Sequence, residues 1–351
     1  MIAFVHGAPA FGAVERYVLQ LVDGLRDADE EVVIVFPDVP ALAPFAAAAG
    51  GNVTAAPFPA ELLGRPAPQR VAALSRRLRA LGPRIAHVSD VWAEGLLAAR
   101  LARPARLLVT HHTPELPRRD NAVGRLLWSL AWRTRPEVIY TSESDRATDG
   151  RQGLRTHVVA LGFDAAAYRG GVRLLQCDRP VVGTVGRLAE QKGQRTLLEA
   201  APLVLARRPD ARFAIFGGGE LRGELEAIAA GLGISDRVLF PGVVSDVRGA
   251  LASLDVFVQP SLFEGLCLAV LEAQAAGVPV VATPVGGLRE TVVDRKTGLV
   301  VPVRDPAALA AAVLELLDDT ALAAALAAEA MAQAGRYSVP AMVEATRRLY
   351  R

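Results

Sequence analysis

Residues 2–5 (IAFV) and 32–36 (VVIVF) are short uninterrupted apolar runs. Between them lie a Gly/Pro loop and a stretch from 14 to 26 in which Val18, Leu21, Val22 and Leu25 recur at helical spacing. This succession of buried strand, loop, amphipathic helix and buried strand leaves few architectures open. A strand that is apolar on both faces needs cover on both, and helices crossing between parallel strands supply it. The chain therefore reads as α/β, built on a doubly wound parallel sheet whose ligands bind beyond the carboxyl ends of the strands. The pattern begins afresh at 180–185 (PVVGTV), and 351 residues favour two such domains over one.

In the first series a helical pattern at 69–80 precedes strands at 84–88, 107–110 and 156–160. The low-order stretch 165–178 separates it from the second, which has strands at 212–216, 238–240, 254–258, 279–282 and 298–302. An Ala/Leu-rich helical segment over 305–332 is interrupted near Asp318, and a last helix covers 340–350. The expected division is 1–165, 166–338, and a terminal segment 339–351 that crosses back onto the first domain.

A chain 52% hydrophobic and 22% charged is globular, and a net charge of +2 gives no reason to expect nucleic acid as a partner. Cys177 and Cys267 provide neither a disulfide framework nor metal-ligand spacing, which fits a reducing, cytoplasmic compartment. The start MIAFVHGAPAFG lacks a basic segment before its apolar residues and reads as a first strand rather than a signal peptide. No apolar run is long enough to span a bilayer, since residues 265–283 are interrupted by Glu272 and by Gly277 and Pro279. Of 39 basic residues only Lys192 and Lys296 are lysines, so a lysine kept at a particular place is informative.

The chemistry concentrates in 259–287, QPSLFEGLCLAVLEAQAAGVPVVATPVGG, where Glu264 and Glu272 stand eight residues apart across an expected loop-to-helix junction. Eight helical steps rise about 12 Å, so the two carboxylates cannot grip one small group but can hold two ends of an extended ligand. A helix opening at Gly265, Leu266 and Cys267 offers free backbone N–H groups and a partial positive charge, a seat for phosphate. Hydroxyls at both ends and phosphate between them describe a nucleotide sugar. As ordinary surface residues the two acids would only complement a helix dipole and meet solvent, but Glu272 lies in an apolar run that penalises an unpaired charge.

This stretch resembles the E-x7-E signature of glycosyltransferase family 4, retaining enzymes of GT-B fold in which two Rossmann-like domains face a central cleft. The resemblance implies that Glu264 lies by the donor sugar and that Glu272 holds the ribose. Residues 186–193, GRLAEQKG, resemble the family's G-R-L-x-x-x-K-G element, which implies that Arg187 and Lys192 bind the donor pyrophosphate. The glycine spacing and the absence of Ser or Thr after Lys192 exclude a P-loop, and no dinucleotide fingerprint is present. By the same resemblance the turn at Gly217 lies beside the nucleotide and the backbone near Val243 meets the base. The loop at Gly12 resembles the family's Gly-Gly element near the phosphates, with Ala13 in place of the second glycine. His111 and His112 end a core-type strand on the ligand edge; the family pattern favours His112 as the catalytic histidine near the donor sugar. The usual Asn-Gly-Val-Asp hinge is replaced here by Leu161, Gly162, Phe163 and Asp164.

The implied activity is transfer of a sugar from a nucleoside diphosphate, with retention, to an acceptor hydroxyl of unspecified kind. No cofactor and no metal are implied. Glu264 is expected to serve as a ligand for donor hydroxyls rather than as a covalent nucleophile. A nucleotide-sugar epimerase or a non-catalytic nucleotide-sugar binder would share much of the donor site. On the acceptor side, Arg118 and Arg119 precede 124–135, GRLLWSLAWRTR, which holds Trp128 and Trp132. Residues 70–79 repeat that mixture of apolar and cationic residues. Such helices either turn their apolar face to the core or rest peripherally on an anionic membrane, with Trp at the headgroups.

Overall fold

The computed structural model describes residues 1–9, 12–26, 30–90, 92–112, 122–149, 151, 153–177 and 180–351. It divides into two compact units, Met1–Gly162 with Val339–Arg351, and Phe163–Ser338. The first unit carries β1 (Ile2–Val5), β2 (Val32–Asp38), β3 (Val53–Pro59), β4 (Ile85–Val88), β5 (Arg106–His111), β6 (Glu137–Tyr140) and β7 (Thr156–Val158). These form one parallel sheet in the order β3-β2-β1-β4-β5-β6-β7. The second unit carries β8 (Val181–Val185), β9 (Arg212–Phe216), β10 (Val238–Gly242), β11 (Val256–Gln259), β12 (Val280–Ala282) and β13 (Leu299–Val300). Its order is β10-β9-β8-β11-β12-β13, again parallel throughout. Each sheet therefore reverses direction beside its first strand, between β1 and β4 and between β8 and β11. Crossovers on the two sides of such a point leave by opposite faces, and the crevice they open is where doubly wound sheets bind ligands.

Strand β3 carries Pro57 and Pro59, which obscure its pattern, and its place at the edge of the sheet is where proline is tolerated. Strand β6 is only four residues long and follows an Arg-rich turn, so it too leaves little trace in the sequence. His87, buried in the first sheet, has both ring nitrogens satisfied. His87 is paired in register with Phe4 and bonds the Tyr350 hydroxyl at 2.6 Å and Thr110 Oγ1 at 2.7 Å. Burial pushes its imidazole down to about 3, so it is neutral at pH 7. Tyr350 lies in the helix Val339–Tyr350, which this network fastens to the first sheet.

The helix Ala122–Arg133 corrects one expectation. Trp128 is 4% exposed and Trp132 packs edge-to-face against it, their centroids 5.8 Å apart, with Arg151 lying 3.8 Å over the Trp132 ring. The tryptophans thus face the core instead of a headgroup layer, and the exposed face carries Arg125, Leu126, Ser129, Leu130 and Arg133. In the helix Ala67–Leu81, Val71, Leu74 and Leu78 are buried while Arg76 and Arg79 are exposed, an ordinary amphipathic arrangement. Arg118 and Arg119 lie outside the described residues. No helix among the described residues is long and apolar enough to cross a membrane.

Candidate active site

At the carboxyl ends of β8 and β11 the second unit assembles a charged cluster. Lys192 Nζ donates to Glu264 Oε1 at 2.6 Å, and Ser261 Oγ donates to the same oxygen at 2.7 Å. Gln259 Nε2 reaches Glu264 Oε1 at 3.4 Å and Gln191 Nε2 reaches Oε2 at 3.5 Å. Arg187 Nη2 bonds Gln191 Oε1 at 3.3 Å, joining the second cation to the cluster through a neutral amide. The approach of the two loops depends on Gly193, whose φ is +64° and where a Cβ would fall 2.1 Å from the Pro260 carbonyl oxygen. Gly217 does the same for the loops after β8 and β9, since a Cβ there would fall 1.8 Å from the Gly186 carbonyl oxygen. Val243 follows β10, is largely exposed, and borders Gly218.

Burial alone would depress the Lys192 ammonium, yet Cys267 and the Glu264 carboxylate together hold it above its usual value. The Cys267 thiol beside it is pushed up to about 12, chiefly by burial, so at pH 7 it is neutral and Glu264 is the charge that matters. A raised lysine stays protonated through the neutral range, and only strongly alkaline pH would discharge it.

The helix expected to open at Gly265 begins three residues later, as Leu268–Ala275. Glu264 is therefore a loop residue, and the turn between carries Cys267 in left-handed backbone at φ +59°, a conformation costing about 1–3 kcal/mol outside glycine. The Gly265 carbonyl accepts from Gly287 N–H at 2.9 Å. Among the described residues the amides of Gly265, Leu266 and Cys267 donate to no protein acceptor, which leaves them available to an anion at the helix start. Glu272, one side of the same helix, accepts from the Tyr168 hydroxyl at 2.7 Å and makes no ion pair among the described residues. Nothing in the sequence pointed to Tyr168, because a hydroxyl reaching across 104 residues has no local signature.

In the first unit, His112 follows β5 with its ring buried, packed edge-to-face on Tyr17 at 4.8 Å and bonded to the backbone of Ser89. Its Nε2 has no hydrogen-bond partner among the described residues. Burial, partly opposed by the charge of Asp90, holds the imidazole below its ordinary value. His111 is pushed down to about 4, again by burial first, and lies tilted against Tyr140 at 5.5 Å. Gly12 caps the helix Ala13–Gly24 at φ −159°, an extended backbone open to other residues, and a Cβ would meet only Glu15 Oε2 at 3.5 Å. Its N–H already donates to Glu15 Oε2 at 2.6 Å, so this amide is engaged within the protein. The other Glu15 oxygen lies 3.0 Å from His6 Nε2, and His6 Nδ1 lies 2.9 Å from Ser89 Oγ. An acid at the third position of a helix is a capping signal that could have marked Glu15; His6 carried none.

Comparison with known proteins agrees with both halves. A family model described as Glycosyltransferase Family 4 matches residues 14–167, and one described as Glycosyl transferases group 1 matches residues 179–319. The chain is 43% identical over 158 residues to a GDP-mannose-dependent alpha-(1-6)-phosphatidylinositol monomannoside mannosyltransferase of Mycolicibacterium smegmatis, covering 42% of this chain and 41% of that one. It is 41% identical over 226 residues to a D-inositol 3-phosphate glycosyltransferase of Corynebacterium urealyticum, covering 58% and 53%. These matches span about half the length of the curated relatives. Among solved structures, Anabaena Alr3699/HepE in complex with UDP and glucose superposes with a TM-score of 0.83 at 22% identity, covering 99% of this chain and 98% of that one. The sucrose-phosphate synthase of Thermosynechococcus elongatus gives 0.81 at 21% identity, covering 100% and 98%. With two parallel sheets of doubly wound order and both halves matched by models of one family, this chain belongs to the GT-B glycosyltransferases of family 4.

Proposed function

We propose that the protein is a retaining, metal-independent glycosyltransferase that moves a sugar from a nucleoside diphosphate to an acceptor hydroxyl. The observation that carries this reading is the Lys192–Glu264 pair at the β8/β11 switch, beside unengaged amides at 265–267. In this reading Arg187, Lys192 and those amides receive the pyrophosphate, Glu272 with Tyr168 receives the ribose, and backbone near Gly217 and Val243 borders the base. Glu264 accepts hydrogen bonds from sugar hydroxyls. It is a poor nucleophile here, being buried and already bonded by Lys192, Ser261 and Gln259. The C1–O bond to phosphate breaks as the acceptor oxygen bonds C1 on the same face, and the acceptor proton passes to the departing phosphate oxygen. His112, in the first unit, offers the bare Nε2 of its neutral imidazole as an acceptor to a sugar hydroxyl, its other ring nitrogen being spent on the Ser89 backbone. Cys177 and Cys267 are unpaired, which supports a reducing, cytoplasmic setting.

GDP-mannose and UDP-glucose are the donors to try first, given the relatives and fold neighbours. At about 100 times its dissociation constant the true donor should stabilise the chain by about 2.7 kcal/mol in a thermal-shift assay. Slow transfer to water or acceptor should continue in EDTA and give product of unchanged anomeric configuration by NMR. An inverted product, loss of turnover in EDTA, or a glycosyl-Glu264 adduct in mass spectrometry would each defeat the mechanism. An epimer formed from donor alone would point to an epimerase instead.

The acceptor side has one further supporting observation. Leu126 and Leu130 are exposed on the same helix face as Arg125 and Arg133, a pairing that suits an anionic membrane surface. The Leu126/Leu130 pair, not the tryptophans, would then enter the interface. Cosedimentation with anionic vesicles should exceed that with neutral ones at low salt and fall as salt rises. Equal sedimentation with both would leave a soluble acceptor.

A further inference from the structure

We propose that Glu15 and His6 are positioning residues for His112, acting through Ser89 to hold its imidazole in the tautomer whose Nε2 is bare. This rests on the glycosyltransferase reading, which gives His112 its part in transfer, and names the residues that prepare it. Glu15, His6, Ser89 and His112 are 5%, 1%, 1% and 8% exposed, so their polar groups meet one another rather than bulk water. They come from one helix and from three strands that lie side by side. Val5 pairs with Val88 and Val88 with Val109, so the carboxyl ends of β1, β4 and β5 are neighbours. His6 and Ser89 directly follow the first of these pairs, and His112 follows β5. Glu15 sits in the first turn of the helix Ala13–Gly24, where its Oε2 is fixed by the Gly12 N–H at 2.6 Å.

The hydrogens can be followed along this line. His6 Nε2 faces two acceptors, the Ala8 carbonyl and Glu15 Oε1, each at 3.0 Å, so it carries a hydrogen. Its Nδ1 is thereby turned to Ser89 Oγ at 2.9 Å. The same hydroxyl lies 3.3 Å from the Val5 carbonyl, which also accepts from the Ser89 N–H at 3.0 Å. Ser89 is clamped to the end of β1 by both its backbone and its side chain, and the direction of its own carbonyl is fixed with them. That carbonyl accepts from the His112 ring. Because Nε2 of His112 has no partner among the described residues, the bond comes from Nδ1–H. In a neutral imidazole a hydrogen on one nitrogen leaves the other bare, so the Ser89 carbonyl decides which nitrogen can accept. Partners of this kind set both tautomer and ring orientation. A second line reaches the same ring from Tyr17, whose hydroxyl bonds Thr110 Oγ1 at 3.0 Å and continues through His87 to Tyr350. It ends on His112 in an edge-to-face contact, so it supports the place of the ring and leaves the tautomer to Ser89.

The test is heteronuclear NMR of the full chain with nitrogen-labelled histidine rings, which the presence of only five histidines makes tractable, His112→Ala serving to assign the signal. At pH 7 the wild-type His112 should show a protonated Nδ1 and a bare Nε2. In Ser89→Ala, and in His6→Gln, which reaches toward Glu15 but offers nothing to Ser89, the two nitrogen signals should move toward each other as both tautomers become populated. In the same variants kcat should fall about 10- to 100-fold while the donor KM changes little. Glu15→Gln, which keeps an acceptor for Gly12 but loosens the hold on His6, should act in the same direction with a smaller effect. Tyr350→Phe removes a buried bond of the second line and should leave both kcat and the His112 nitrogens as they are. A retained amide spectrum shows that each variant is folded. A wild-type His112 with its hydrogen on Nε2, unchanged nitrogen signals or unchanged kcat in Ser89→Ala, or the same changes in Tyr350→Phe would overturn the positioning role. The ring signals need no turnover, so if they behave as expected while no nucleotide sugar stabilises the wild-type chain, it is the glycosyltransferase reading that fails.

Discussion

Lys192→Ala should bind nucleoside diphosphates about 10- to 150-fold more weakly, the equivalent of losing a charge-assisted bond of roughly 1.5 to 3 kcal/mol. Nucleoside monophosphate should feel the loss less, because the lysine is assigned to the pyrophosphate. The same substitution should also destabilise the second unit. It strands Glu264, whose side chain is 5% exposed, without its cation. Breaking one side of a buried pair costs about 3–5 kcal/mol, and bonds from Ser261 and Gln259 bring the expectation toward the lower end. The two effects can be separated. Lys192→Met combined with Glu264→Gln removes both charges, so the denaturation midpoint should recover most of its loss while diphosphate affinity stays low. Calorimetry showing unchanged diphosphate binding in Lys192→Ala would refute the assignment, as would full recovery of affinity in the double variant.

His112→Ala should lower kcat about 10²- to 10³-fold with little change in donor affinity, the cost of removing one preorganised hydrogen-bonding group from a charged transition state. The argument is geometric first: the ring is anchored on Tyr17 and the Ser89 backbone, and its Nε2 is buried with no protein partner. Its pKa is lowered by burial, so the neutral imidazole predominates at pH 7. If the neutral ring is the working form, the acid limb of the kcat profile lies below the ordinary histidine value near 6.5 and the plateau extends through neutrality. A limb that moves above that value, or a His112→Ala enzyme with wild-type kcat, would contradict this role. His111→Ala serves as the contrast, since that ring packs against Tyr140 and is not assigned a part in transfer.

Much of the architecture could be read from local pattern. Apolar runs such as Ile2–Val5 and Val181–Val185 have to be strands covered on both faces, and their alternation with amphipathic helices dictates parallel crossovers. Glu264, Glu272, Arg187 and Lys192 stood out because charge in apolar surroundings, or lysine among arginines, is conspicuous in one dimension. Where the signal was diluted it misled: β3 was lost to its prolines, and the helix after Glu264 was started three residues early by an apolar lead-in that continues its pattern through Gly265, Leu266 and Cys267.

Sequence by itself determined the two doubly wound units, the loops that carry the charges, and the identity of the charged residues. Only tertiary structure decided what those residues meet. Lys192 and Glu264 pair across 72 residues because Gly193 lets one loop lie on the Pro260 carbonyl, and Glu272 finds Tyr168 in a segment without periodicity. Trp128 turns inward and leaves Leu126 and Leu130 outside, and His6, Ser89 and Trp92 meet at a strand-order reversal. The physical reason is one of range. Periodicity and turn chemistry are set by neighbours a few residues apart, whereas burial, ion pairing and the lining of a crevice depend on which strands the sheet brings side by side.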